Sequence, residues 1–163
     1  MNESRESHEA GHRRKFLVVV DETPECERAL FYAGHRAVAT QGSLVLLAVV
    51  PPSDFQHWLG VENIMREDAH NAAAEALENA ACKVKPFGDI SVETVIRDGH
   101  KSEEILAIIE EDKDIAILVL GAGIGKEGPG PLVAMLGCTG GGFPIPVTIV
   151  PGTLTDKQIE ALS

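Results

Sequence analysis

The chain is short of cysteine, of positive charge and of aromatic side chains, and each shortage excludes something. Its 163 residues hold only three cysteines, Cys26, Cys82 and Cys138, which lie far apart and outside any CxxC spacing. That excludes a disulfide frame and a cysteine-ligated zinc site, and it leaves reduced thiols of the kind a cytoplasmic protein carries. Lysine and arginine number 14 against 25 aspartates and glutamates, a net charge of −11. A general nucleic-acid binder is excluded by this balance, because phosphate backbones select for basic patches. No apolar run approaches the roughly 18 residues of a membrane-spanning helix. The opening stretch, MNESRESHEAGHRRK, is polar and has no apolar core, so neither a secretory signal nor an anchor is expected. It reads as a flexible tail over residues 1–14. Repeats, low-complexity runs, a GxSxG nucleophile elbow and a recognisable Cys–His pair are also missing, so no catalytic residue is nominated.

Hydrophobic residues make up 44% of the chain, enough for one ordinary globular core. KFLVVVD (Lys15–Asp21) is an apolar run ending in an acid, the pattern of a buried parallel strand. Thr23-Pro24 then supplies an N-cap and a proline at the first helical position, and Gln41-Gly42 ends that helix after Thr40. SLVLLAVV (Ser43–Val50) is the second strand, closed by Pro51-Pro52. An alanine-rich helix is expected from Glu62 to Val84, a third strand over Ser91–Arg97, and a helix over Lys101–Glu111 with Ile105, Leu106, Ile108 and Ile109 facing inward. Ile115–Gly121 is the fourth strand, Pro131–Leu136 forms one or two helical turns, and Pro146–Val150 is the fifth strand. Thr155 and Gln158 fit a capping box that opens a short last helix, in the separate stretch 153–163. Strands alternating with helices require crossovers, hence a doubly wound parallel sheet within residues 15–152. Ligands of such sheets lie beyond the carboxyl ends of the strands, so the loops Asp21–Thr23, Val49–Pro52 and Gly121–Gly130 should converge.

The last of these loops is the most suggestive part of the sequence. IAILVLGAGIGKEGPG (Ile115–Gly130) runs an apolar strand into glycines carrying one lysine, Lys126. Glycine lets main-chain N–H groups approach a phosphate, and an ammonium adds a mobile point charge. GAGIGK is one residue short of a P-loop and has Glu127 where the magnesium-binding hydroxyl belongs; Gly123-x-Gly125-x-x-Gly128 matches a dinucleotide fingerprint but enters a proline-containing loop. A bespoke anion cradle made by Gly121, Gly123, Gly125, Lys126 and Gly128 is the reading preferred to a plain flexible connection.

LVVVDETPECERALFYA, LVLLAVV, VETVIRDGHKSEEILAIIEEDKDIAILVLGAG and FPIPVTIV, in this order and spacing, resemble a universal stress protein domain over Lys15 to Val150. The resemblance implies an α/β fold of the adenine-nucleotide α-hydrolase-like kind, a five-stranded parallel sheet of order 3-2-1-4-5, and a homodimer, with ATP or AMP bound in one subset of the family. It places Asp21 beside the nucleotide and the main chain near Val49 against adenine. The family's phosphate motif, Gly-x-x-Gly followed after nine residues by Gly-Ser or Gly-Thr, is altered here. Gly121 matches, but Ile124 stands at the second glycine and Ala134-Met135 at the final pair, with Gly137-Cys138-Thr139 three residues late. GCTGGGFPIP also stands where a helix should lead into the last strand.

Two functional readings follow: a stress-response protein binding an adenine nucleotide or related phosphate ligand through a dimer, and a dimeric adaptor that binds none. Slow nucleotide hydrolysis is a third. Dimerisation through the exposed edge of the fifth strand suits both main readings. Asp21 could accept from a ribose hydroxyl or adenine amine, or simply end its strand. Phe55, His57 and Trp58 in the segment Asp54–Gly60 could stack on a base or close over the core. His8-Glu9-Ala10-Gly11-His12 is a literal HExxH, but its polar flanks and Gly11 argue against a rigid zinc helix, and no metal is assigned.

Overall fold

A computed structural model describes residues 4–52 and 59–163. Five strands, β1 (Lys15–Val19), β2 (Ser43–Val50), β3 (Val92–Asp98), β4 (Ile115–Ala122) and β5 (Val147–Pro151), form one sheet of order β3-β2-β1-β4-β5. Every neighbouring pair is parallel, as the alternation of strands and helices predicts. The interior strand β2 is buried along its whole length, because a parallel sheet covered on both faces leaves no solvent side. The edge strands β3 and β5 are largely half-exposed or exposed.

Helices cover both faces. Phe16, Val18 and Val20 point to one side, where they meet Leu30, Ala33 and Ala37 of α1 (Pro24–Thr40), Leu77, Ala80 and Val84 of α2 (Leu59–Val84), and Ile159 of the last helix. Leu17 and Val19 point to the other, against Ile105, Ile108 and Ile109 of α3 (Lys101–Glu111) and Leu136 of α4 (Pro131–Thr139). Leu106 does not join them; it is 41% exposed. The inward stripe repeats at three and four residues, and Leu106 falls about 100° off it. The closing helix α5 (Asp156–Leu162) opens on the expected capping box, with Gln158 N–H donating to Thr155 Oγ1 and Thr155 N–H to Gln158 Oε1.

Other boundaries differ in ways that have causes. α4 runs to Thr139 and is followed by a 3-10 turn, Gly140–Gly142, where one or two turns and then a non-helical replacement were expected. Leu132, Val133, Met135 and Leu136 pack on the core, and that burial outweighs the poor helix propensity of Gly137 and Thr139. α1 ends as expected at Gln41, which adopts the left-handed conformation (φ 56°). Thr23 occupies the N-cap but its side chain caps nothing; its hydroxyl is turned to Asp21 instead.

Candidate functional site

The strand order reverses direction at β1, so the switch point lies between the carboxyl ends of β1 and β4. A cleft of about 130 Å³ opens there, lined among others by Asp21, Glu25, Lys101, Gly121, Gly130 and Pro131. A second cleft of about 480 Å³ lies between α1 and α2, with an apolar floor of Val20, Leu30, Ala76 and Ala80. Asp21, Thr23 and Cys26 line both, so Asp21 stands on the shared wall. Its Oδ1 accepts from the Thr23 N–H (2.9 Å) and the Thr23 hydroxyl, while Oδ2 faces Lys101 Nζ at 3.7 Å. Asp21 therefore organises the β1–α1 turn with one oxygen and keeps the other beside a cation.

Lys101 is the residue that sequence reading missed. It opens α3 directly after Asp98-Gly99-His100, a stretch that looks like a plain turn. The crossover from edge strand β3 to β4 must pass over β1, and this brings the first turn of α3 to Asp21.

The glycines divide into two kinds. A methyl group built at Gly121 would lie 2.0 Å from the Glu25 carbonyl oxygen, and one at Gly123 would lie 3.1 Å from Glu25 Oε1. Gly121 thus lets the first turn of α1 sit on the end of β4, and the Glu25 carboxylate rests against the start of the glycine loop. Beyond Gly123 the loop bonds to itself, the Gly123 N–H donating to the Pro129 carbonyl and the Gly128 N–H to that of Gly125. Gly125, Lys126 and Gly128 are exposed, and none of the three lines the switch-point cleft. Val49 is buried in β2 and lines neither cleft. Of the residues nominated from the sequence, Asp21 and Gly121 come together at the cleft and Gly123 lies just beyond it. Phe55, His57 and Trp58 lie outside the described residues.

Cys26 lines both clefts but is buried, and its Sγ–H donates to the Val19 carbonyl (3.5 Å). Burial pushes this thiol up to about 11, so it stays protonated and is no nucleophile at neutral pH. At the end of β3, Asp98 accepts from His70 (2.7 Å) and Arg66 (3.3 Å) of α2. The His70 hydrogen bond, reinforced by Arg66, holds the Asp98 carboxyl below its usual range despite some desolvation.

The opposite end of the sheet is tied by ion pairs. Lys15 Nζ bonds Asp112 (2.6 Å) and Glu93 (2.9 Å), and the Arg5 guanidinium donates to the Ile109 and Asp112 carbonyls at the end of α3. Residues 8–12 form turns, not the helix that an HExxH site needs. His12 Nδ1 meets Asp114 Oδ1 at 2.7 Å, and Glu6 brings a carboxylate oxygen within 4.8 Å of both. No helix among the described residues is long and apolar enough to cross a membrane.

Residues 12–129 match the model of the universal stress protein family. No curated protein matches the chain. Among solved structures it is similar to the universal stress protein UspA from Lactobacillus plantarum, with 22% identity, a TM-score of 0.69, and 84% of this chain and 97% of that one covered. It is also similar to a universal stress protein in complex with cAMP, with 17% identity, a TM-score of 0.62, and 84% of this chain and 96% of that one covered. A third is the universal stress protein from Archaeoglobus fulgidus in complex with dAMP, with 16% identity, a TM-score of 0.58, and 84% and 97% covered. At such identities the likeness establishes the fold.

Proposed function

The chain belongs to the universal stress protein family, and on that premise we propose that it binds an adenine nucleotide across the β1–β4 switch point. The observation that carries this reading is Asp21 on the wall between two clefts, with Lys101 at 3.7 Å. At about 480 Å³ the larger cleft falls within the roughly 300–1,000 Å³ usual for small-molecule sites, whereas the smaller one at about 130 Å³ takes only a phosphoryl-sized group. Base and ribose go to the larger side, a sugar hydroxyl meets Asp21, and one phosphate meets Lys101 and the α4 N-terminus. Relatives held in complex with cAMP and dAMP support this ligand class. Lys101, not the exposed Lys126, supplies the positive charge. The protein then acts as a nucleotide-responsive stress protein in the cytoplasm, pairing with a second copy along the β5 edge, where Ile149 is 44% exposed. Native mass spectrometry followed by calorimetric titration with cAMP, AMP and ATP tests it. One nucleotide per chain at micromolar affinity is expected for at least one of them, and no binding of any of the three contradicts it.

A second reading, the adaptor without nucleotide, is favoured by one observation. The Gly123 and Gly128 N–H groups that a phosphate cradle would offer are used within the loop itself. Dimerisation with no nucleotide in the same titration would support that reading.

A further inference from the structure

We propose that Glu25 makes the switch-point cleft a charge filter, admitting an adenine nucleotide whose phosphate carries a single negative charge and disfavouring dianionic and polyphosphate ends. The inference rests on the nucleotide reading above and adds the residue that sets the ligand's charge. Three charged side chains line the small cleft, Asp21, Glu25 and Lys101. Lys101 is shared with Asp21, while Glu25 makes no ion pair among the described residues. The cleft without ligand therefore carries one net negative charge.

The main chain of Glu25 is pressed on Gly121 at the end of β4, and its Oε1 lies beside Gly123, 3.1 Å from where a methyl group built there would sit. A phosphate seated between Lys101 and the start of α4 gains one attraction from Lys101 and meets one repulsion from Glu25. Both grow with the ligand's charge, but Asp21 already offsets part of the Lys101 attraction. Each further negative charge therefore costs more than it gains. The volume acts in the same direction, since about 130 Å³ has no room for a chain of three phosphates.

The test titrates the full chain and its Glu25→Gln variant with cAMP, a monoanionic phosphodiester, and with AMP and ATP. For the native protein cAMP should bind at least about threefold tighter than AMP, with ATP weakest. Glu25→Gln keeps the side chain's shape and its seat on Gly121, and it should tighten AMP about tenfold while moving cAMP less than about threefold. Binding of all three in an order that Glu25→Gln leaves unchanged overturns the filter alone. ATP binding tighter than cAMP to the native protein overturns it without any variant. No binding to either protein overturns the nucleotide reading and the filter with it.

Discussion

The two ends of the sheet carry charge differently. At the amino end, acids meet cations or hydrogen-bond donors in closed sets: Lys15 between Asp112 and Glu93, and His12 on Asp114. Arg5 adds a tie between the N-terminal segment and the last carbonyls of α3. At the carboxyl end Asp98 is similarly closed by Arg66 and His70, but the switch point is not. There Asp21 shares Lys101 at a loose 3.7 Å, and Glu25 stands over glycines with no cation partner among the described residues. One end joins the segments of the fold together; the other leaves charge available to a ligand. Substitutions at the amino end should change stability without changing affinity, and those at the switch point should do the reverse unless they strike the packing of α1 on β4.

The largest effect expected is at that packing joint. Gly121→Val forces side-chain atoms into the Glu25 main chain and should cost about 3 kcal/mol or more in urea unfolding, while Gly125→Ala, whose new methyl group meets only the Glu127 amide nitrogen at 4.0 Å, should stay within about 0.5 kcal/mol. Equal effects would mean that α1 does not rest on β4 as described. Next comes Lys15→Met, which leaves Asp112 and Glu93 facing each other and should cost about 1–2 kcal/mol without altering nucleotide affinity. A loss of affinity in this variant would break the division between the two ends. Thr155→Ala removes the α5 capping box and should cost about 1 kcal/mol, read from the same unfolding curves.

The smallest effect is a pH dependence at the amino end. The Asp114 hydrogen bond raises the His12 pKa above the ordinary 6.5, outweighing a little desolvation. A raised imidazole pKa favours the folded state fully below that ordinary value, and the contribution fades as pH rises through the folded-state value. Stability should therefore decline slightly from about pH 6 upward, and His12→Gln should flatten the decline. An imidazole titration followed by NMR that places His12 at or below its ordinary value would contradict the contact.

Much of the fold was legible because local and global signals agree. The apolar runs of β1, β2 and β4, Pro24 at the start of α1 and the Thr155–Gln158 box all identify their elements from neighbours in sequence. α4 was less legible, because its length depends on Leu132, Val133 and Leu136 reaching the core, which outweighs local propensity. The site was half legible. Asp21 and Gly121 follow from their places at strand ends. Lys101 and Glu25 do not, since an acid in a helix's first turn and a lysine after a turn are ordinary in sequence. Only the crossover of α3 and the close approach of α1 to β4 bring them to one cleft. Lys126 stands out in the sequence because it sits among glycines, yet the Gly123 and Gly128 N–H groups of its loop turn inward to Pro129 and Gly125 and the lysine is left exposed.

The measurement that bears most directly on this account is AMP titration, by calorimetry, of the native protein alongside Lys101→Met and Lys126→Met. The account predicts one site per chain, weakened about tenfold or more by Lys101→Met and less than about twofold by Lys126→Met. Native-like affinity in Lys101→Met, or a loss confined to Lys126→Met, would contradict it and return the phosphate to the glycine loop.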